Sequence, residues 1–376
     1  MRIGVHAHLL STRPGYRRTG VSRYIERLLA ALPEALAADE ALVVYAGSAA
    51  AAHPWFAPAW ERRGPAVPTE RPARRALWEQ TVLPVLARRD RLDVLHGPVN
   101  IAPLLVPCPT VVTVHDLAYL RLPDRLPAGR RRYFSALTRA SARRAARVLA
   151  VSESTKRDVV ELLEVPEDRV AVTPLAADAG FRPVTGEALD AFLGEQRIVR
   201  PFVLSVGTLE PRKNLPALLR AFGRIAPEVP HDLVLAGPEG WMTDEIHETR
   251  RRLGLGDRVR FTGYVETAML PAWYSAADLF VYPSLYEGFG LPPLEAMACG
   301  TPVVTSDVSS LPEVVGDAAL TVPPTEETAL AEAMRRVLED RVLAADLQAR
   351  GLERAREFSW RRTAALTVAA YREAVG

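Results

Sequence analysis

Two cysteines in 376 residues, Cys108 and Cys299, fall in opposite halves of the chain, each in an apolar, proline-bearing stretch. So few can build neither a disulfide framework nor a cysteine metal centre, and a reducing, cytosolic compartment is the expectation. Long apolar runs are lacking too: no stretch of about 18 uninterrupted apolar residues is there to span a bilayer. The opening MRIGVHAHLL is followed by STRPGYRRTG instead of a long apolar core and a small-residue cleavage site, so no signal peptide is expected. Charge bias is slight, with 47 basic and 45 acidic residues and a net of +2, which argues against a dedicated nucleic-acid binder. Lysine is scarcer still. Only Lys156 and Lys213 interrupt a basic set otherwise made of arginine. A GC-rich coding bias toward Arg, Ala, Pro and Leu explains most of that skew.

What is present is enough apolar material, 48% of the residues, for two domains with separate cores. Residues 1–180 carry 26 basic against 18 acidic side chains (+8), and the remainder carries 21 against 27 (−6), as two domains with different partners would. Short β-branched runs alternate with helical patterns from end to end: RIGVHAHL, ALVVYAG, DVLHG, TVVTVHD, RVLAVS and RVAVTPL, then FVLSVG, DLVLAG, RVRFTG, LFVYPS and PVVTSD. That rhythm predicts an α/β chain of two doubly wound Rossmann-like domains facing across a cleft, with ligands beyond the carboxyl ends of the strands. The alternation breaks for roughly 25 residues after Pro174, which places a linker there. The expected division is 1–179, 180–357, and a C-terminal helical stretch 358–376 that could pack back on the first domain.

Four places carry chemistry. The densest is SLYEGFGLPPLEAMACGTPVVTSD, Ser284 to Asp307, in which Gly288 and Gly290 let the backbone turn tightly before a helix near Pro292. A helix start with free N–H groups is a natural phosphate site. Glu287 and Glu295 flank it; carboxylates beside a phosphate fit hydroxyl recognition, as on a sugar or ribose, and the lesser alternative is that Glu295 merely favours the helix N-terminus. The second, LSVGTLEPRKNLPALLRAF, ends a strand at Gly207 and carries Glu210, Arg212, Lys213 and Asn214 on a loop. Arg as a planar fork and Lys as a point charge can together neutralise a diphosphate. A lysine retained in an arginine-writing chain points to a need for a compact ammonium; chance is the alternative. Third, Gly20 precedes a helix start as a close-approach glycine would, without the full dinucleotide fingerprint. Fourth, TVVTVHDLAYL ends a strand with His115 and Asp116, a reacting-centre histidine or a satisfied structural one. For His6, His8 and His96, also near strand ends, the sequence gives no role.

Together these pieces resemble retaining glycosyltransferase family 4, through Glu287-Gly288-Phe289-Gly290-Leu291 with Glu295, Gly207-Thr208 with Arg212-Lys213-Asn214, Gly20 with Arg23-Tyr24, and His115-Asp116. The resemblance implies a GT-B fold, an acceptor-binding first domain and a nucleotide-sugar-binding second one. It also implies transfer of a sugar from a nucleotide-diphosphate donor to a hydroxyl, with retention, no cofactor and no metal. Arg212 and Lys213 would then hold the diphosphate and Glu295 the ribose, Glu287 would lie beside the donor sugar, and His115 would touch the sugar near the reacting carbon. Gly20, Gly207, Gly288, Phe289, Gly290 and Leu291 join the donor site, with Val265, beside Gly263 and Tyr264, near the base. Front-face transfer and covalent double displacement both stay open. The wording is most similar to bacterial mannosyl- or rhamnosyltransferases of surface polysaccharide synthesis, hence GDP-mannose as donor and a glycan or polyprenyl-linked acceptor. Arg130, Arg131, Arg132, Arg139, Arg143, Arg144 and Arg147 could then bring the protein peripherally to an anionic membrane, unless they form a solvated helix face. Rival readings are a sugar-nucleotide epimerase or hydrolase of the same fold and a non-catalytic sugar-nucleotide-binding subunit.

Overall fold

The computed structural model describes residues 1–10, 20–46, 60–63, 72–125, 128–199 and 201–376. They form two compact units, Met1–Leu175 with Ser359–Gly376, and Ala176–Phe358. The chain therefore passes between units at 175/176, a few residues before the expected 179/180.

The first unit holds β1 (Arg2–His6), β2 (Ala41–Tyr45), β3 (Glu61–Arg63), β4 (Val94–Gly97), β5 (Thr110–Val114), β6 (Arg147–Ala150) and β7 (Val170–Val172) in one sheet, ordered β3-β2-β1-β4-β5-β6-β7. The second holds β8 (Phe202–Val206), β9 (Asp232–Ala236), β10 (Val259–Gly263), β11 (Leu279–Tyr282), β12 (Val303–Ser306) and β13 (Leu320–Val322), ordered β10-β9-β8-β11-β12-β13. All pairings are parallel. The central strands β4, β5, β11 and β12 are buried along their whole length, as strands covered by helices on both faces must be. Strand order reverses between β1 and β4 and again between β8 and β11, and an open parallel sheet takes its ligands at such a reversal.

Two strands were not foreseen. β3 is three charged residues at a sheet edge, where charge discourages further pairing, and β13 is equally short. The stretch read as a break also contains a helix, Glu187–Glu195, whose Phe192 meets the Trp273 ring edge-on at 5.1 Å. Its Gly-rich entry and single buried side chain hide it from periodicity.

Helix ends follow local chemistry. Ser152 caps helix Glu153–Leu163, its side chain accepting from the Thr155 N–H at 3.0 Å. The C-terminal helix Trp360–Val375 belongs to the first unit; Thr363 donates to the Pro174 carbonyl at 2.6 Å. In the second unit, helix Leu215–Ile225 buries Leu218, Leu219, Phe222 and Ile225 in a core with Leu233, Leu235, Leu279 and Val281. That burial fixes where the loop before the helix must lie.

Candidate functional site

At the reversal of the second sheet, the loops leaving β8 and β11 meet. Gly207 directly follows β8, with φ +155°, and a Cβ there would stand 3.3 Å from Lys213 Cε. Pro211–Lys213 make one turn of 3-10 helix, and Asn214 reverses the chain in the left-handed region at φ 57°. The turn folds the Lys213 stem back beneath Gly207. Gly237, at the end of β9, approaches Gly207 so closely that a Cβ would lie 1.9 Å from the Gly207 carbonyl oxygen. Both neighbours are backbone, so nothing flexible can yield. Gly237→Ala is expected to destabilise the second unit by about 3 kcal/mol or more, roughly 6–12 °C in its unfolding temperature. Calorimetry checks this against Gly194→Ala, where a Cβ meets open space and no loss is expected.

From the other side, the loop after β11 brings Glu287. Its carboxylate receives Lys213 Nζ at 2.6 Å on Oε1 and Arg212 Nη1 at 2.6 Å on Oε2, and the Tyr282 hydroxyl donates to Oε1 at 3.0 Å. Arg212 also bonds buried Glu210 at 2.7 Å, and Lys213 reaches the Tyr282 hydroxyl. Backbone bonds hold the loop: the Glu287 N–H donates to Ser309 Oγ at 2.9 Å, and Ser310 Oγ donates to the Glu287 and Phe289 carbonyls. Burial alone would raise the Glu287 carboxyl, but the Arg212 and Lys213 charges prevail and hold it at about 2. Burial and the Arg212 charge pull the Lys213 ammonium down against Glu287's attraction. Two cations thus converge on one buried carboxylate.

Gly290, at φ 113°, starts helix Leu291–Ala298, and a Cβ on it would press on Leu311 at 2.9 Å. Pro292 and Pro293 occupy its first turn and have no N–H to give. This corrects the expected row of free donors at that helix start: the amide donors left there are few, and the cations must carry most of any phosphate binding. Gly288 and Phe289 are buried in the loop, Phe289 edge-on to Phe358 at 5.7 Å. Glu295 is enclosed, with the Tyr274 hydroxyl donating to Oε2 at 3.1 Å. Val265 follows β10, so it shares the carboxyl edge of this sheet two strands from β8.

Gly20 and His115 belong to the first unit. Gly20 is the first residue of helix Gly20–Ala35, and Tyr24 on that helix meets the His115 ring edge-on at 4.5 Å. The His115 N–H donates to Asn100 Oδ1 at 3.0 Å, and its Nε2 lies 2.8 Å from the Pro98 carbonyl. A carbonyl only accepts, so Nε2 carries the proton. Burial lowers the imidazole pKa against that carbonyl and Asp116, which keeps the ring neutral with its lone pair on Nδ1. Beneath it runs a buried chain: Tyr24 to Thr113 at 2.9 Å, Thr113 to His96 Nε2 at 2.8 Å, and His96 Nδ1 to Tyr371 of the C-terminal helix at 2.7 Å. His96, unassigned by sequence, is here a structural link between β4, β5 and that helix.

The basic helix spans Ala128–Arg144. Arg139 and Arg143 both pair with Glu164 and cap carbonyls at Leu162 and Leu163, and Arg147 pairs with Glu373 at 3.2 Å. The side chains of Arg130, Arg131 and Arg132, and residues 15–19 before Gly20, lie outside the described residues. No helix among the described residues is long and apolar enough to cross a membrane.

Residues 18–181 match the family model "Glycosyltransferase Family 4", and residues 196–357 match "Glycosyl transferases group 1". The chain is 38% identical over 290 residues to O-antigen chain mannosyltransferase B of Escherichia coli, covering 76% of each. It is 34% identical over 274 residues to the serotype-specific mannosyltransferase WbdA of Escherichia coli, of whose length it spans 33%. Among solved structures, sucrose-phosphate synthase of Thermosynechococcus elongatus superposes with a TM-score of 0.77 at 23% identity, covering 99% of this chain and 98% of that one. HepE of Anabaena, solved with UDP and glucose, gives 0.74 at 20% identity, covering 98% of each. With two Rossmann-like units, a paired-cation site at a strand reversal and these relatives, the chain belongs to glycosyltransferase family 4 and is a GT-B glycosyltransferase.

Proposed function

We propose that this enzyme transfers a mannosyl residue from GDP-mannose to a hydroxyl of a glycan or polyprenyl-linked precursor of a surface polysaccharide, retaining the anomeric configuration. The observation that carries the reading is the convergence of Arg212 and Lys213 on Glu287 at the sheet reversal. The donor diphosphate takes the two cations, and they stabilise the negative charge that grows on it as the glycosidic bond breaks. Fixed side-chain cations supply this without a metal ion. Glu287, released from the cations, faces the sugar; Glu295, oriented by Tyr274, accepts from ribose hydroxyls. Neutral His115, its Nε2 proton held by the Pro98 carbonyl, accepts a hydrogen bond from a sugar hydroxyl on Nδ1. In a front-face reaction the acceptor oxygen bonds to that carbon as the phosphate oxygen leaves, and its proton passes to the departing phosphate. The mannosyl assignment is supported by the name of the 38% identical relative. A nucleotide-sugar donor is supported by UDP and glucose in the HepE structure.

The test is mass spectrometry of products after incubation with GDP-mannose, UDP-glucose or dTDP-rhamnose and a mannose-terminated lipid-linked oligosaccharide. One hexosyl unit added from GDP-mannose alone is the expected result. A free epimer, or free sugar released without acceptor, would favour an epimerase or hydrolase. Donor binding with no turnover would favour a non-catalytic subunit.

A further inference from the structure

The first sheet has its own reversal, between β1 and β4, and a cluster stands there that the donor site does not use. His6 is the last residue of β1 and His8 follows two residues later; Trp78 and Glu79 face them from helix Pro72–Arg89. The His6 and His8 rings lie 4.8 Å apart, the His8 ring is 4.1 Å from that of Trp78, and His6 Nδ1 is 3.5 Å from Glu79 Oε1. His6, Trp78 and Glu79 are buried and His8 is half-buried. His6 Nε2 and both ring nitrogens of His8 are shielded and have no hydrogen-bond partner among the described residues. Each such atom costs about 1–3 kcal/mol, so packing alone does not account for imidazole at these places.

Their charge state narrows the ligand. Burial drives the His6 pKa well below its ordinary value and that of His8 to about 4, with Arg75 adding to both shifts. Burial raises the Glu79 carboxyl to about 7 against the pull of Arg75. Near neutrality the imidazoles are uncharged, each with one donor and one acceptor, and Glu79 exchanges between acid and carboxylate. Among the described residues, an anion would meet a carboxyl there, with Arg75 as the cation that acts on these groups. A hydroxyl, donor and acceptor at once, matches the imidazoles and the carboxyl, while the buried Trp78 indole packs on the His8 ring and holds it in place.

We propose that His6, His8 and Glu79, with Trp78 beside them, form a hydroxyl-recognition site for the acceptor sugar. The proposal rests on the glycosyltransferase reading above. Two measurements test it. In the full-length wild-type protein without donor, the ring 15N resonances of His6 and His8 shift saturably on titration with methyl α-mannoside and stay fixed with glycerol. In turnover, His8→Phe and Glu79→Gln each raise the acceptor KM by roughly tenfold to a hundredfold and leave the affinity for GDP unchanged, as loss of one or two hydrogen bonds predicts. Unshifted resonances, or folded variants with wild-type acceptor KM, would overturn it. Resonances that move with methyl α-mannoside in a protein that fails to bind GDP would fault the donor reading and leave this site standing.

Discussion

Lys213→Ala lowers kcat/KM with GDP-mannose, the proposed donor, by about a thousandfold, and GDP binding weakens with it. A preorganised donor aimed at developing charge contributes roughly 10²- to 10³-fold in rate, and a buried ammonium lies at the upper end. Lys213→Arg does not restore activity. The Lys213 stem runs 3.3 Å from the place a Gly207 Cβ would take, and its Nζ meets both Tyr282 and Glu287, a space shaped for a compact ammonium and too narrow for a guanidinium fork. Glu287 keeps its Arg212 partner in the variant, so the fold survives and the loss is read in kinetics, with a melting curve as control. Activity within threefold of wild type would remove Lys213 from the site. The scarcity of lysine thus has a physical counterpart at one of its two positions.

Glu287→Gln separates binding from turnover. Transfer falls by about a hundredfold or more, because the carboxylate proposed to face the sugar is gone, yet GDP binds several-fold more tightly. In the free protein Glu287 occupies both cations proposed to hold the diphosphate, so on that proposal binding displaces it; glutamine competes far less. Titration calorimetry checks the sign, and weaker GDP binding in the variant would mean that Glu287 does not compete. The same substitution changes acid stability. With its folded pKa at about 2 and its ordinary value at 4.5, Glu287 stabilises the fold in full above pH 4.5. That contribution fades as pH falls from there through about 2, and Glu287→Gln removes this part of the acid limb.

The sequence carried the sheets because central parallel strands must be apolar on both faces, and LFVY or TVVTV can be little else. It carried the motif residues because glycines, a paired Arg-Lys and spaced glutamates stand out against an alanine-rich background. β3, with its sequence ERR, has no apolar signature, since an edge strand needs none. Gly237 has no sequence signature, because its need arises from contact with Gly207, thirty residues earlier in the chain, where no local pattern records it. Ser309, Ser310 and Tyr282 act on Glu287 in the same non-local way. The prolines of the Leu291 helix are plain in the sequence, and they remove amide donors from its first turn.

The most direct measurement is a crystal structure of the protein with GDP bound. The account predicts diphosphate oxygens about 2.7–3.0 Å from Lys213 Nζ and the Arg212 guanidinium, with the Glu287 carboxylate withdrawn from both. A diphosphate bound elsewhere, with Glu287 still paired to Arg212 and Lys213, would contradict it.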